Sequence, residues 1–200
     1  MRFFVKYLFD RIFALIGLIL TSPLFIILPV IIRIDSKGPV FFVQKRIGKN
    51  GRLFTIYKFR SMQLNDGTNT VTSLTDSRIT NAGSFLRKWK LDELPELLNI
   101  LMGDMSFVGP RPDVPGYADK LQDENRKVLL LRPGITGPAT LKYLDEEEIL
   151  SGVSNPQQYN DEVIYPDKVR INIKYLETFS LVGDLKIIFF TLIRKRIDEY

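Results

Sequence analysis

The chain has 200 residues, a formal net charge of +5, and neither Cys nor His. Its length suits one domain of ordinary size, and its composition excludes a disulfide scaffold, a thiol nucleophile, an imidazole base and the usual zinc sites. Carboxylates therefore remain as the groups that could act as acid, base, metal ligand or nucleophile.

Residues 1–60 are strongly basic, with 11 Lys and Arg against 2 acidic residues. Such a segment indicates an anionic partner, either nucleic acid or lipid. Residues 12–32 carry no charge, and a straight helix of that length measures about 32 Å, close to the thickness of a bilayer core. A nucleic-acid binder does not explain this uncharged run, so we favour lipid and predict no nucleic-acid partner.

The uncharged run is interrupted at its midpoint by Ser22-Pro23 and has basic residues on both flanks. A single transmembrane helix is the default interpretation. However, proline kinks a helix, and the positive-inside rule would place both basic flanks on the cytoplasmic face. We therefore favour a re-entrant membrane-anchoring helix over residues 1–36, which bends at Ser22 and Pro23 and returns to the same side.

Residues 39–46 and 52–60 have β-rich sequences, and Asn50-Gly51 between them is a strong hairpin signal. The pattern predicts a small antiparallel β element. Lys58 and Arg60 fall on the same face of its second strand. They are candidate phosphate ligands, with ordinary surface residues as the alternative.

A polar loop is predicted at 65–80, a short basic helix at 82–90 and a second helix at 91–101. Asp92 is placed as the N-cap of the second helix, where the helix dipole would keep its carboxylate ionised. The adjacent pair Asp92-Glu93 could therefore serve as a nucleophile or metal ligand. The alternative is a plain helix start with a solvated Glu.

Two rigid loops are predicted at 103–112 and 132–138. The first holds Arg111 between two prolines, and a guanidinium on a stiff backbone suits phosphate oxygens.

An acidic helix is predicted at 145–150 and another helix at 167–179, opened by Pro166. Residues 185–197 are apolar and then basic, which is typical of an amphipathic helix lying in the headgroup region. A buried core helix with a basic last turn is the alternative.

Several motifs occur together in the order found in one known family. They are Asp10, Ser22-Pro23, and residues 57–62, 91–95, 103–112, 132–137 and 184–186. On these motifs, from about residue 5 to 196, the chain resembles the monotopic phosphoglycosyl transferases of bacterial glycan assembly, the bacterial sugar transferase domain.

The resemblance implies transfer of a phosphosugar from a UDP-sugar to a polyprenol phosphate such as undecaprenyl phosphate, with release of UMP. It implies Mg²⁺ as cofactor and a place at the cytoplasmic face of the bacterial inner membrane. Asp92 would attack phosphorus, form a covalent aspartyl phosphosugar and bind the metal, with Glu93 assisting. Arg111, Lys58 and Arg60 would hold phosphate. A non-catalytic membrane-surface binding or scaffold protein is the alternative.

The expected fold is mixed α/β. A re-entrant membrane helix over residues 1–36 would precede a cytoplasmic catalytic domain over residues 37–200. That domain would contain the small antiparallel β element and several amphipathic interfacial helices, the last of them at its C-terminal end.

Overall fold

A computed structural model describes residues 2–63 and 78–197. Most of the polar loop predicted at 65–80 lies outside the described residues. The chain divides into two compact units, each described here by itself. The dyad unit comprises residues 8–44 and 55–103, and the Arg111 unit comprises the remaining described residues.

The chain mixes helices with short strands, so the predicted mixed α/β class is confirmed at that level. The acidic helix predicted at 145–150 corresponds to α6. The helices and strands are α1 Arg2–Thr21, α2 Leu24–Asp35, β1 Phe41–Ile47, β2 Leu53–Phe59, α3 Asn81–Lys88, α4 Glu96–Met102, β3 Ser106–Val108, β4 Gly134–Thr136, α5 Pro138–Lys142, α6 Glu146–Ser151, α7 Pro156–Tyr159, α8 Tyr165–Thr178 and α9 Leu181–Leu192.

The apolar N-terminal segment is broken where the sequence predicts. Helices α1 and α2 meet at Ser22-Pro23 with a bend of 62°. The Thr21 hydroxyl donates to the Gly17 carbonyl at 2.7 Å, which satisfies a backbone acceptor beside the break. Among the described residues, no single helix has the length and apolarity needed to cross a membrane, whereas α1 and α2 meet both conditions only as a bent pair.

The predicted hairpin is present. Strands β1 and β2 form a two-stranded sheet, and their short connection makes the pairing antiparallel. The turn between them uses positive φ angles at Asn50 (58°) and Gly51 (75°), which these residue types accept at low cost. Within the dyad unit, Phe59 at the end of β2 packs with Leu28 and Ile32 of α2.

The prediction of a single helix at 91–101 is wrong. Lys90 has a left-handed conformation (φ 56°), residues Leu91–Glu93 form a 3-10 turn, and α4 begins only at Glu96. This turn uses i→i+3 bonds, such as Leu94 N–H to the Leu91 carbonyl at 3.2 Å, and Pro95 has no N–H with which to continue it. Asp92 therefore lies inside the turn. The prediction that Asp92 is the N-cap of a helix is wrong.

The two segments predicted as loops at 103–112 and 132–138 each contain a three-residue strand, so that prediction is wrong in part. Strands β3 and β4 pair in parallel, with Ser106 opposite Gly134 and Val108 opposite Thr136. A Cβ at position 134 would lie 2.2 Å from the Gly109 nitrogen. Glycine at 134 is therefore needed for the two backbones to approach this closely.

Helix α8 has Pro166 in its first turn, as predicted. The helix predicted at 185–197 begins earlier, at Leu181, and ends at Leu192, so the basic residues from Arg194 follow the helix. Arg194 has a positive φ of 50°, which is incompatible with continuing an α-helix. The boundaries predicted for α9 are therefore wrong.

Helix α9 is buried on one side only. Asp184 and Ile187 are buried, whereas large apolar side chains on other positions are exposed: Val182 (76%), Leu185 (65%), Phe189 (56%) and Leu192 (77%). This exposure argues against the alternative of a fully buried core helix. The membrane-surface role of α9 remains a prediction.

A buried ion pair joins the start of α1 to α9 within the Arg111 unit. Lys6, only 2% exposed, donates to Asp184 Oδ2 at 2.5 Å. The Tyr175 hydroxyl donates to the other oxygen of Asp184 at 2.6 Å. Buried charges persist only when they are paired and hydrogen-bonded, so this network fixes the start of α1, up to Tyr7, to α8 and α9.

Candidate active site

Asp92 is a buried carboxylate, with only 9% of the residue exposed. Its Oδ1 is buried and accepts no hydrogen bond from the described residues. Burial raises the pKa of Asp92, the neighbouring Glu93 raises it further, and Lys58 and Lys90 act in the opposite direction. The sequence-based expectation that a helix dipole keeps Asp92 ionised is wrong, because desolvation dominates and the residue does not cap a helix.

Lys58 lies among the carboxylates that follow Asp92. Its Nζ is 2.9 Å from Glu93 Oε1 and 3.0 Å from Glu96 Oε1. Glu96 is 2% exposed, so a cation beside it helps to compensate for the burial of its charge. The structure therefore brings Lys58 together with Glu93 and Glu96, and the predicted phosphate contact of Lys58 stays a prediction.

Asn99 connects this group to the backbone of β2. Its Oδ1 accepts a hydrogen bond from Tyr57 N–H at 3.1 Å, and its Nδ2 donates to the Thr55 carbonyl at 2.7 Å. Asn99 is fully buried. Its amide therefore fixes α4 to the strand that carries Lys58.

Arg60 lies in the dyad unit, where it contacts the end of α2. Its Nη2 donates to the Ser36 carbonyl at 2.7 Å and to the Ser36 hydroxyl at 2.8 Å, and the residue is 3% exposed. A cation is favourable at a helix C-terminus, where carbonyl groups lack partners. These contacts indicate that Arg60 fixes α2 to the end of β2, and its predicted phosphate contact stays a prediction.

Arg111 lies in the Arg111 unit, in an exposed position on the loop that follows β3. Each neighbour of this residue is held through its backbone carbonyl. The Pro110 carbonyl accepts from Gly134 N–H at 2.8 Å, and the Pro112 carbonyl accepts from Arg46 Nη1 at 3.0 Å. Hydrogen bonds thus hold both prolines that flank the exposed Arg111, and the predicted rigidity of the loop stays a prediction.

Asp113 is an additional carboxyl close to this loop. The Tyr165 hydroxyl donates to its Oδ2 at 3.0 Å. Burial raises the pKa of Asp113 to about 6, although the Tyr165 hydrogen bond and the positive charges of Lys168 and Arg46 oppose that shift. The carboxyl of Asp113, with its raised pKa, therefore titrates near pH 6 rather than near pH 4.

Comparison with known proteins matches residues 1–196 to the model of one family, described as bacterial sugar transferase. The chain belongs to the bacterial sugar transferase family. It is 36% identical to the exopolysaccharide production protein PSS of Rhizobium leguminosarum bv. phaseoli, with 94% of each chain covered. The recognition made from the sequence motifs is thereby confirmed.

Two longer relatives of this bacterial sugar transferase have names that state an activity. The chain is 37% identical to the UDP-glucose:undecaprenyl-phosphate glucose-1-phosphate transferase of Xanthomonas campestris pv. campestris, over 94% of this chain and 38% of that protein. It is 36% identical to the UDP-N-acetylgalactosamine-undecaprenyl-phosphate N-acetylgalactosaminephosphotransferase of Aeromonas hydrophila, over 94% and 43%. The chain thus spans about two fifths of the length of these curated relatives.

The carboxylates of this bacterial sugar transferase fit a metal ion only in part. Residues 2–63 and 78–197 contain no group of three or more acidic side chains arranged to hold a metal. Asp92 Oδ1, which is buried and accepts no hydrogen bond from the residues that the structure describes, is nevertheless a suitable hard oxygen ligand. Mg²⁺ commonly takes one or two carboxylates and completes its coordination with substrate phosphates and water, and these residues fit that mode.

The sequence analysis missed Glu96 and Asn99 of the dyad unit and Asp113 of the Arg111 unit. Glu96 and Asn99 are polar positions three apart in a Leu-rich helix, and this spacing places them on one helix face, which was an available signal. Asp113 lies 52 residues from Tyr165, and no local pattern in the sequence indicates that contact.

Proposed function

We propose that this chain transfers a phosphosugar from a UDP-sugar to a polyprenol phosphate such as undecaprenyl phosphate, giving polyprenyl diphosphosugar and UMP. Membership of the family and the activities named for the longer relatives support this assignment. The observation that carries it is the buried Asp92, whose Oδ1 accepts no hydrogen bond from the described residues and which is followed directly by Glu93.

In the first step, a carboxylate oxygen of Asp92 attacks the phosphorus that bears the sugar. The bond between this phosphorus and the oxygen of UMP breaks, and UMP leaves with the electron pair. The product is an aspartyl phosphosugar. Covalent catalysis of this kind lets UMP depart before the lipid substrate reacts, which suits two chemically unlike substrates.

In the second step, a phosphate oxygen of the polyprenol phosphate attacks the same phosphorus. The Asp92–phosphorus bond breaks, which restores the carboxylate and completes the diphosphate linkage. Glu93 is the neighbouring acid–base group. Lys58, held at 2.9 Å from Glu93, supplies positive charge beside the reacting phosphate, and Arg111 holds phosphate oxygens through its planar guanidinium.

Asp92 would hold Mg²⁺, with the remaining coordination positions occupied by phosphate oxygens and water. When bound, the ion neutralises phosphate charge. Burial raises the pKa of Asp92 and so disfavours the carboxylate form that a nucleophile needs. Positive charge near Asp92 would counter this effect and favour the ionised form.

The same proposal places the chain at the cytoplasmic face of the bacterial inner membrane as a monotopic protein. The bend of 62° between α1 and α2 suits a re-entrant anchor. Exposed apolar residues of α9, including Val182 and Leu192, suit a helix lying at the lipid surface. A domain so anchored meets the phosphate head of its lipid substrate at headgroup depth.

UMP release tests the activity. The protein is incubated with a panel of UDP-sugars, Mg²⁺ and undecaprenyl phosphate, and Asp92→Asn is compared with Asp119→Asn, a control carboxyl that accepts a hydrogen bond from Gly116 N–H. We expect Asp92→Asn to abolish turnover and the control to retain it. With UDP-sugar alone, the wild type should gain the mass of one phosphosugar. Normal turnover of Asp92→Asn would refute the assignment, and a wild type inactive with every donor would favour a scaffold protein.

Cysteine labelling tests the topology in this cysteine-free chain. Single cysteines are introduced at Phe3 and Lys49, and a membrane-impermeant thiol reagent is applied to intact and then lysed cells. A re-entrant anchor predicts that both sites are protected until lysis. Labelling of the Phe3 site alone in intact cells would establish a spanning helix. Replacement of Ser22-Pro23 by Ala-Leu should straighten the helix and produce that labelling pattern.

A further inference from the structure

The side chain of Asn99 makes two hydrogen bonds to β2 of the kind that a neighbouring strand would make. It accepts from Tyr57 N–H and donates to the Thr55 carbonyl, two groups that point to the same edge of β2. A residue of a parallel strand opposite Ile56 would make the same pair of bonds. The amide therefore fixes both the distance of α4 from β2 and its register along the strand.

This register decides where Lys58 lies. Lys58 follows Tyr57 directly, and its Nζ reaches Glu93 at 2.9 Å and Glu96 at 3.0 Å. Glu96 precedes Asn99 by three residues, so the two side chains lie on one face of α4. One helical turn thus provides both a clamp on the strand backbone and an anion for the lysine that the strand carries.

Neither contact is easily replaced. Asn99 is 0% exposed and Glu96 is 2% exposed, so water cannot readily replace a partner that is removed from either contact. The side-chain amide of Asn99 donates through Nδ2 and accepts through Oδ1. Neither an ionised carboxylate, which only accepts, nor an apolar side chain can make both bonds.

We propose that Asn99 and Glu96 are positioning residues, which hold Lys58 against Glu93 beside the nucleophile Asp92. Neither residue needs to touch substrate. The proposal rests on the proposed function for its kinetic consequence, because Lys58 must lie where phosphate charge develops. Its geometric part, that the two residues fix the position of Lys58, can be measured without any turnover.

The geometric test is acylation of lysine amines, quantified by peptide mass spectrometry. Lys58 in Asn99→Leu and in the milder, isosteric Glu96→Gln is compared with Lys142, which is paired with Asp167 at 2.6 Å in the Arg111 unit and similarly shielded. We expect Lys58 labelling to rise severalfold in both variants and Lys142 labelling to stay constant. Asn172→Leu, which alters a buried asparagine of the Arg111 unit, should leave Lys58 labelling unchanged.

The kinetic test is a double-mutant cycle with Lys58→Met. Misplacement of a group near the chemistry can cost about 100-fold in rate, so Asn99→Leu should lower kcat by about that factor with little change in KM. In the Lys58→Met background the same substitution should cost little more. Effects that multiply, an unchanged Lys58 label, or an equal rise at Lys142 would each overturn the proposal. A wild type inactive with every UDP-sugar would refute the proposed function and leave the labelling result to decide the geometric claim.

Discussion

Replacement of Asp113 by Asn should change how the stability of the protein depends on pH. Burial raises the pKa of Asp113 from 3.8 to about 6 in the folded chain. The folded state therefore binds more protons than the unfolded state between these values, and stability falls as pH rises through this window. The shift corresponds to about 3 kcal/mol in the free energy of unfolding, because one pKa unit is worth about 1.4 kcal/mol.

Asn cannot ionise, yet it can still accept the Tyr165 hydrogen bond. The stability difference between Asp113→Asn and the wild type should thus move in favour of the variant by about 2.4 kcal/mol between pH 4 and pH 7, which is most of the full shift. Urea unfolding of both proteins in the same detergent, followed by circular dichroism at several pH values, measures this difference. Tyr165→Phe removes a donor that stabilises the carboxylate, so the pKa of Asp113 should rise further, as read by carboxyl NMR.

A constant stability difference across this range would refute the reasoning, because it would mean that the pKa of Asp113 is the same in the folded and unfolded states. A difference that moves in favour of the wild type would be a stronger contradiction. It would require a folded-state pKa below 3.8, and hence cations or hydrogen bonds that outweigh burial at this position.

Arg111→Lys should lose much of the UMP release and Arg111→Ala more, since an ammonium cannot reproduce bidentate contacts to phosphate; equal rates for all three proteins would contradict this role. Chelation of divalent ions should stop turnover and added Mg²⁺ should restore it, while activity in the presence of excess chelator would rule out the metal. Gly103→Ala should lower the free energy of unfolding by more than about 1 kcal/mol, because φ is +92° and the new Cβ would lie 2.3 Å from the Arg11 guanidinium. Gly152→Ala, with φ −85° and no close contact, is the matched control and should be nearly neutral.

Local signals in the sequence predicted the elements that local chemistry determines. Asn50-Gly51 supplied the positive φ angles of the hairpin, Ser22-Pro23 broke the apolar helix, and Pro166 opened α8. Each of these features depends on residues adjacent in the chain. The family motifs likewise identified the family, because their order along the chain is itself a sequence property.

Contacts between distant residues could not be predicted in this way. Strands β3 and β4 are too short for a periodic pattern and exist because Ser106 pairs with Gly134. The N-cap predicted at Asp92 is wrong because Lys90 has a left-handed conformation. A sequence does not indicate such a conformation at a lysine, since only a small minority of non-glycine residues adopt positive φ. The clamp formed by Asn99 requires the strand backbone at Thr55, 44 residues away.

The ion pair between Lys6 and Asp184 has a consequence for biosynthesis. The two residues are separated by 178 positions, so Lys6 emerges from the ribosome long before its counter-charge has been translated. Until then the lysine must stay hydrated, because a buried ammonium without a partner is strongly unfavourable. The start of α1 can therefore dock only after Asp184 has been translated, which makes closure of the Arg111 unit a late event in folding. Truncations that remove α9 should consequently leave the N-terminal turn undocked, even though all residues of the dyad unit have been synthesised.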